Sequence, residues 1–222
     1  MTKTTTPTLA ARLEALNAFK VAIIAWARGF SSAEAAWEAC SDPHWMLWGL
    51  SLWGLAATGR SDDRTLRLFA CWCVRHTPLA DGRTTWDVLT DPRSRTAVEV
   101  AERFAVGDAT AEELRVAKDA AWDAVRVAVR PAAREAAGAA ARAVTVAGAA
   151  VAAAEAAGSY TAGAAAWDAA GAAAREAAGA AAGAAGSDTA RAEAWDAAWA
   201  TARAAQANAL RRLVGANPFL GE

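Results

Sequence analysis

Residues 162–185 read AGAAAWDAAGAAAREAAGAAAGAA, and this stretch decides the fold. Alanine has the highest helix propensity of any residue, because it loses no side-chain entropy and buries no polar group. From about residue 131 onward nearly half of the chain is alanine, punctuated by Trp167, Trp195 and Trp199. Such a tract reads as helices that meet backbone to backbone through small side chains, with tryptophans filling the wider gaps. It holds no nucleophile–base pair, phosphate-cradling glycine loop or carboxylate dyad. These residues specify an architecture and leave the function to other evidence.

Working outward, start and stop signals divide the chain into further helices. Thr6-Pro7 opens a first helix with a bulky stripe at Leu13, Leu16, Phe19, Ile23 and Trp26, stopped at Gly29. Ser31 and Glu34 have capping-box spacing for a short helix ending near Cys40. Asp42-Pro43 starts a helix over 45–55 that is apolar nearly all round and therefore central. Ser61-Asp62-Asp63 caps a helix over 65–76, and a short one follows at 84–89. Asp91-Pro92 opens another, stopped by Gly107-Asp108, and Thr110 with Glu113 forms a capping box for a long helix reaching Pro131.

Beyond that proline the pattern predicts helices at about 132–157, 162–185 and 188–214, broken at Gly158-Ser159 and Gly186-Ser187. Nothing alternates at period two, so the fold class is all-α, a multi-helix array of antiparallel helical hairpins. Residues 1–130 form a helical part with a tryptophan-rich core. Residues 131–222 form an alanine-rich part that packs back onto it as one continuous domain, because an isolated alanine helix is only marginally stable in water.

Two copies of Arg-Glu-Ala-Ala-Gly-Ala-Ala-Ala begin at Arg134 and Arg175, and Ala-Trp-Asp recurs at 121–123, 166–168 and 194–196. The spacings disagree, so no strict solenoid period is present. Trp45, Trp48, Leu66, Phe69, Val98 and Phe104 are expected in one core cluster, and Gly138, Gly171, Gly179 and Gly183 at helix–helix contacts. The last helix carries a stripe of Trp195, Trp199, Ala202, Gln206, Leu210 and Leu213. Its odd member, Gln206, requires a hydrogen-bond partner if buried, such as a neighbouring helix end.

The formal net charge of -1 argues against a general nucleic-acid or anionic-membrane binder. The longest uncharged run, 45–59, is shorter than a spanning helix needs. Three cysteines without framework spacing, and no targeting pattern, give the expectation of a reduced, cytoplasmic protein.

Few groups carry chemistry. Cys40, His44, Cys73 and His76 could supply four soft metal ligands if their segments met, but their spacing fits no finger pattern. No metal and no cofactor is expected. A nucleophilic cysteine needs an electropositive, partly exposed site, whereas these thiols sit in core-like sequence. In the Trp-Asp pairs, tryptophan in the core with aspartate in water is expected for at least two of three. Under the sharper reading, Asp123, Asp168 and Asp196 line a face that grips a basic partner.

The helix with Arg95, Ala97, Val98, Glu99, Ala101, Glu102, Arg103, Phe104 and Gly107, followed by an alanine- and tryptophan-rich tail, resembles a group of helical proteins from GC-rich bacteria. The ending QANALRRLVGANPF is similar to the termini of planctomycete members of that group. The same helix plus alanine tail resembles the fifth numbered family of immunity proteins in bacterial polymorphic-toxin systems. That resemblance implies a non-enzymatic protein that neutralises a cognate toxin by binding it. The chain departs from the family in lacking histidines in the alanine tail. The alternative is a helical regulatory or small-ligand-binding module, marked by an apolar cavity rimmed by Trp48, Trp72 or Trp122.

Overall fold

The computed structural model describes residues 21–57, 63–132 and 162–215. Among these residues there are nine helices and no strand. They are α1 Val21–Ala27, α2 Ala33–Ala39, α3 Pro43–Ala57, α4 Asp63–His76, α5 Thr85–Val88, α6 Pro92–Val106, α7 Ala111–Ala132, α8 Ala162–Ala184 and α9 Asp188–Val214. The all-α reading holds. The predicted helix at 132–157, the opening at Thr6-Pro7, Gly138 and the Gly158-Ser159 break lie outside the described residues.

Local chemistry sets most boundaries. Asp91 caps α6 by accepting the N–H of Arg93, with Pro92 in the first turn, and Gly107 ends the helix in the left-handed region at φ 92. Thr110 and Glu113 exchange the reciprocal bonds of a capping box at the start of α7. That helix runs one residue past Pro131. Ser187 caps α9 by accepting from the Ala190 N–H. The Ser31–Glu34 box does not form. Ser32 is the cap, bonded by Ala35, which places Glu34 in the first turn and outside the box position.

Helix α4 is central. It packs against α5, α6, α8 and α9, while α7 lies on the far side of α6 and α3 rests on α8 and α9. Its buried Leu66, Phe69, Cys73 and Val74 join Leu47, Val98, Leu114 and Leu210 in one core. Helix α8 contributes Ala166, Ala169, Ala170 and Ala173 to that cluster, at steps that keep one small-residue face turned inward. Trp45 and Phe104 pack against the same core. Trp48 does not. It lies with Ile24, Trp26 and Ala27 in a separate cluster under α1.

Gly171 is buried and Gly179 half-buried facing Trp195, as expected, but Gly183 is exposed. No helix among the described residues is long and apolar enough to cross a membrane.

Candidate interaction groove

The hairpin of α6 and α7 presents the candidate site. The core stripe of α7 is Leu114, Ala117, Ala121 and Ala124, all buried and spaced three, four and three apart. Val116 falls outside that stripe and is 54% exposed. Opposite it, α6 buries Ala97, Val98 and Ala101 and turns Pro92, Thr96 and Val100 toward α7. Between the helices lies an open groove of about 490 Å³, lined by Pro92, Thr96, Val100, Val116, Ala117 and Ala120. Alanine at 117 and 120 is what leaves the space, since larger side chains there would fill it.

Charged groups stand at the rim. Arg93 pairs with Asp91 at 2.8 Å, and Glu113 pairs with Arg103 at 3.1 Å near the turn. Glu112 bonds Arg115 at 2.6 Å, and the same guanidinium reaches Asp119 at 3.0 Å. The Thr110 N–H and hydroxyl, with Arg103, hold the Glu113 carboxyl below the usual carboxylate range. Arg115 does the same for Glu112. Glu112 and Glu113 are therefore ionised at neutral pH.

The α6 motif residues singled out in the sequence serve as supports of that helix, and none of them lines the groove. Arg95 donates to the Leu89 and Trp86 carbonyls at the end of α5. Glu102 takes two bonds from Arg75, at 2.5 and 2.8 Å, while Arg75 lies over the Trp86 ring. Arg103 donates to the Asp108 carbonyl beyond the helix end. Most of the motif thus fixes α6 in place.

The sequence-predicted partner contacts separate. Asp123 sits on α7 one turn beyond Ala120, and its charge acts on Arg93 at the groove rim. Asp168 and Asp196 are exposed on the α8–α9 hairpin, which contributes nothing to the groove. The tryptophan half of the pairs needs correcting: Trp167 packs on the core, but Trp122 is 39% and Trp195 38% exposed. The core of each helix is claimed by its alanine and leucine stripe, leaving the indole to one side.

The four alternative metal ligands do not converge. Cys73 is fully buried, whereas His76, the last residue of α4, lies out over Trp72 with ring centroids 5.5 Å apart. Cys40 donates to the Asp42 carbonyl, and His44 is engaged with Trp167 and Arg203. Burial pushes the thiols of Cys71 and Cys73 far above their ordinary value and raises that of Cys40.

Gln206 is buried and donates to the Thr77 hydroxyl, just past the end of α4, and to the Ala170 carbonyl, both at 3.0 Å. The expected helix-end partner is found.

The groove itself escaped sequence reasoning. Its one signal was Val116, a bulky apolar residue off the core stripe. In comparisons with protein-family models, curated proteins and solved structures, the chain matches none.

Proposed function

We propose that this chain is a non-catalytic, cytoplasmic immunity-type binder that neutralises a bacterial toxin by occluding it with the α6–α7 hairpin. The observation that carries this reading is the open apolar groove of about 490 Å³ beside exposed Val116. An exposed apolar cleft with a charged rim is the surface form that protein partners use. The family resemblance points to the same helix, since its motif residues hold α6 in position. Occlusion needs a rigid wall and no reacting side chain.

The alternative, a regulatory module holding a small apolar ligand, gains support from the groove volume, which falls within the range of ligand sites. Its openness along the hairpin favours a macromolecule. None of Trp48, Trp72 and Trp122 is among its lining residues.

The test is co-expression with each neighbouring reading frame of the source genome that is toxic on its own. This chain should restore growth against one of them. Ala120→Trp, which fills the groove without changing charge, should abolish protection while leaving the circular dichroism spectrum unchanged. Protection by a correctly folded Ala120→Trp variant would sink the groove assignment.

A further inference from the structure

Asp81-Gly82 is the sole place in the chain where aspartate or asparagine precedes glycine. It stands at the exposed tip of the loop between α4 and α5. We infer that it is a backbone-modification site, at which the Asp81 side chain closes on the Gly82 amide, and that Arg83 guards it. Glycine makes the step reactive. It has no Cβ to crowd the amide nitrogen, and its φ of 83° is one that other residues rarely adopt. The Gly82 nitrogen attacks Cγ of Asp81 and a C–N bond forms, while the carboxyl hydroxyl leaves with the amide proton as water. Hydrolysis of the cyclic imide at one carbonyl restores aspartate. At the other it gives isoaspartate, whose main chain runs through Cγ and is one carbon longer. Water is lost and then regained, so no further reactant is needed.

The folded loop holds both reacting groups back. The Gly82 N–H donates to the Leu79 carbonyl at 3.2 Å, which fixes the plane of the attacking amide. Arg83 takes up the acid: its N–H donates to Asp81 Oδ1 at 3.1 Å, and its guanidinium to Oδ2 at 2.8 and 2.7 Å. Those bonds hold the carboxyl below the usual carboxylate range. A carboxylate would have to expel oxide, so the attack runs through the neutral acid, and Arg83 makes that form scarce. The same loop is seated in the core. The Leu79 N–H donates to the Arg83 carbonyl at 2.8 Å, and Leu79 is buried with Ala174, Ala177 and Ala202 beside Trp199. An extra main-chain carbon between residues 79 and 83 breaks that pairing, so modification at the tip loosens the contact of Leu79 with the α8–α9 hairpin.

Prolonged warm incubation at mildly acidic pH tests this on the full chain, its Arg83→Gln and Arg83→Lys variants, and a synthetic peptide of residues 78–84. Isoaspartate at position 81 is read by chromatography and fragmentation mass spectrometry of the digested protein. Arg83→Gln should form it roughly three- to fivefold faster than the parent, the range an exposed ion pair allows. Arg83→Lys keeps the charge without the planar fork, so its rate should fall between the two. The free peptide should react fastest, because no fold restrains its amide. Arg83 is exposed, so both variants should keep the circular dichroism spectrum of the parent. In the modified fraction the Leu79 N–H should exchange with solvent faster than in fresh protein. Equal rates in parent and Arg83→Gln, a peptide that forms no isoaspartate, or earlier modification at another aspartate overturns the inference.

Discussion

His44 lies flat on Trp167, with ring centroids 4.1 Å apart and planes 17° from parallel, and its Nε2 meets the Trp167 carbonyl at 3.1 Å. Its Nδ1 faces Arg203 at 2.9 Å, so the ring is the tautomer that donates from Nε2 and accepts at Nδ1. Arg203 also pairs with Asp42, which caps α3 by accepting the N–H groups of His44 and Trp45. This network ties α3 to both helices of the α8–α9 hairpin. His44→Ala removes the stack and two hydrogen bonds, and should cost about 1–3 kcal/mol in urea unfolding. An unchanged midpoint would show that the junction contributes nothing to stability.

Phe69 is fully buried in the central cluster. Phe69→Ala should therefore destabilise by about 3–5 kcal/mol. Val116→Ala, at an exposed position, should stay within about 0.5 kcal/mol. Equal losses at the two sites, measured by chemical denaturation, would contradict the burial pattern.

Local signals made much of this fold legible. Asp91-Pro92, Thr110 with Glu113, and Ser187 each satisfy helix-end N–H groups within a few residues, so their boundaries could be read directly. The alanine face of α8 was readable because its spacing is helical. What failed depended on which faces meet. Trp122 and Trp195 look like core residues until the alanine stripes beside them take that place. The groove exists only because Val100 and Val116, sixteen residues apart, face each other across a hairpin. The Asp42–His44–Arg203 network joins residues more than 150 positions apart, beyond any local pattern.

Acid should spare the α6 cap until well below the usual carboxylate range. The Arg93 side chain, then its backbone N–H, holds the Asp91 carboxyl below its ordinary value. A depressed carboxyl contributes stability above its unfolded pKa of about 3.9, and loses it as pH falls through the lower folded value. Melting temperature against pH should fall less steeply below about pH 4 in Asp91→Ala than in the parent. At neutral pH that variant should already be weaker by about 1 kcal/mol, the usual value of a cap. Parallel curves would rule out an acid-dependent contribution from Asp91.

Two glycines on α8 should respond oppositely to larger side chains. A Cβ at Gly179 would sit 3.8 Å from the Trp195 ring, an ordinary contact. Gly179→Ala should stabilise by up to about 1 kcal/mol through helix propensity alone. A Cβ at Gly171 would already meet Arg175 at 3.3 Å and the His44 ring at 3.6 Å. Arg175 can swing away, but the stacked imidazole cannot, so Gly171→Leu should destabilise by about 1–3 kcal/mol. Thermal melts of the two variants decide this, and a higher melting temperature for Gly171→Leu would show that His44 is not held in place.

Cysteine reactivity bears on whether any thiol here could act as a nucleophile. Cys40, Cys71 and Cys73 are all buried, and burial disfavours the thiolate at each. A thiol raised by desolvation is protonated at pH 8, and the thiolate is the reacting species. Native protein at that pH should leave all three cysteines unmodified by iodoacetamide over the time in which the urea-unfolded chain is fully alkylated. Cys40 should be the first to react as denaturant is added, because it sits in the short α2–α3 turn and its shift is partly opposed by Arg211 and Arg203. Rapid native alkylation of Cys73 would mean that the α4 core opens readily, and would revive a thiol-based activity over the binding role.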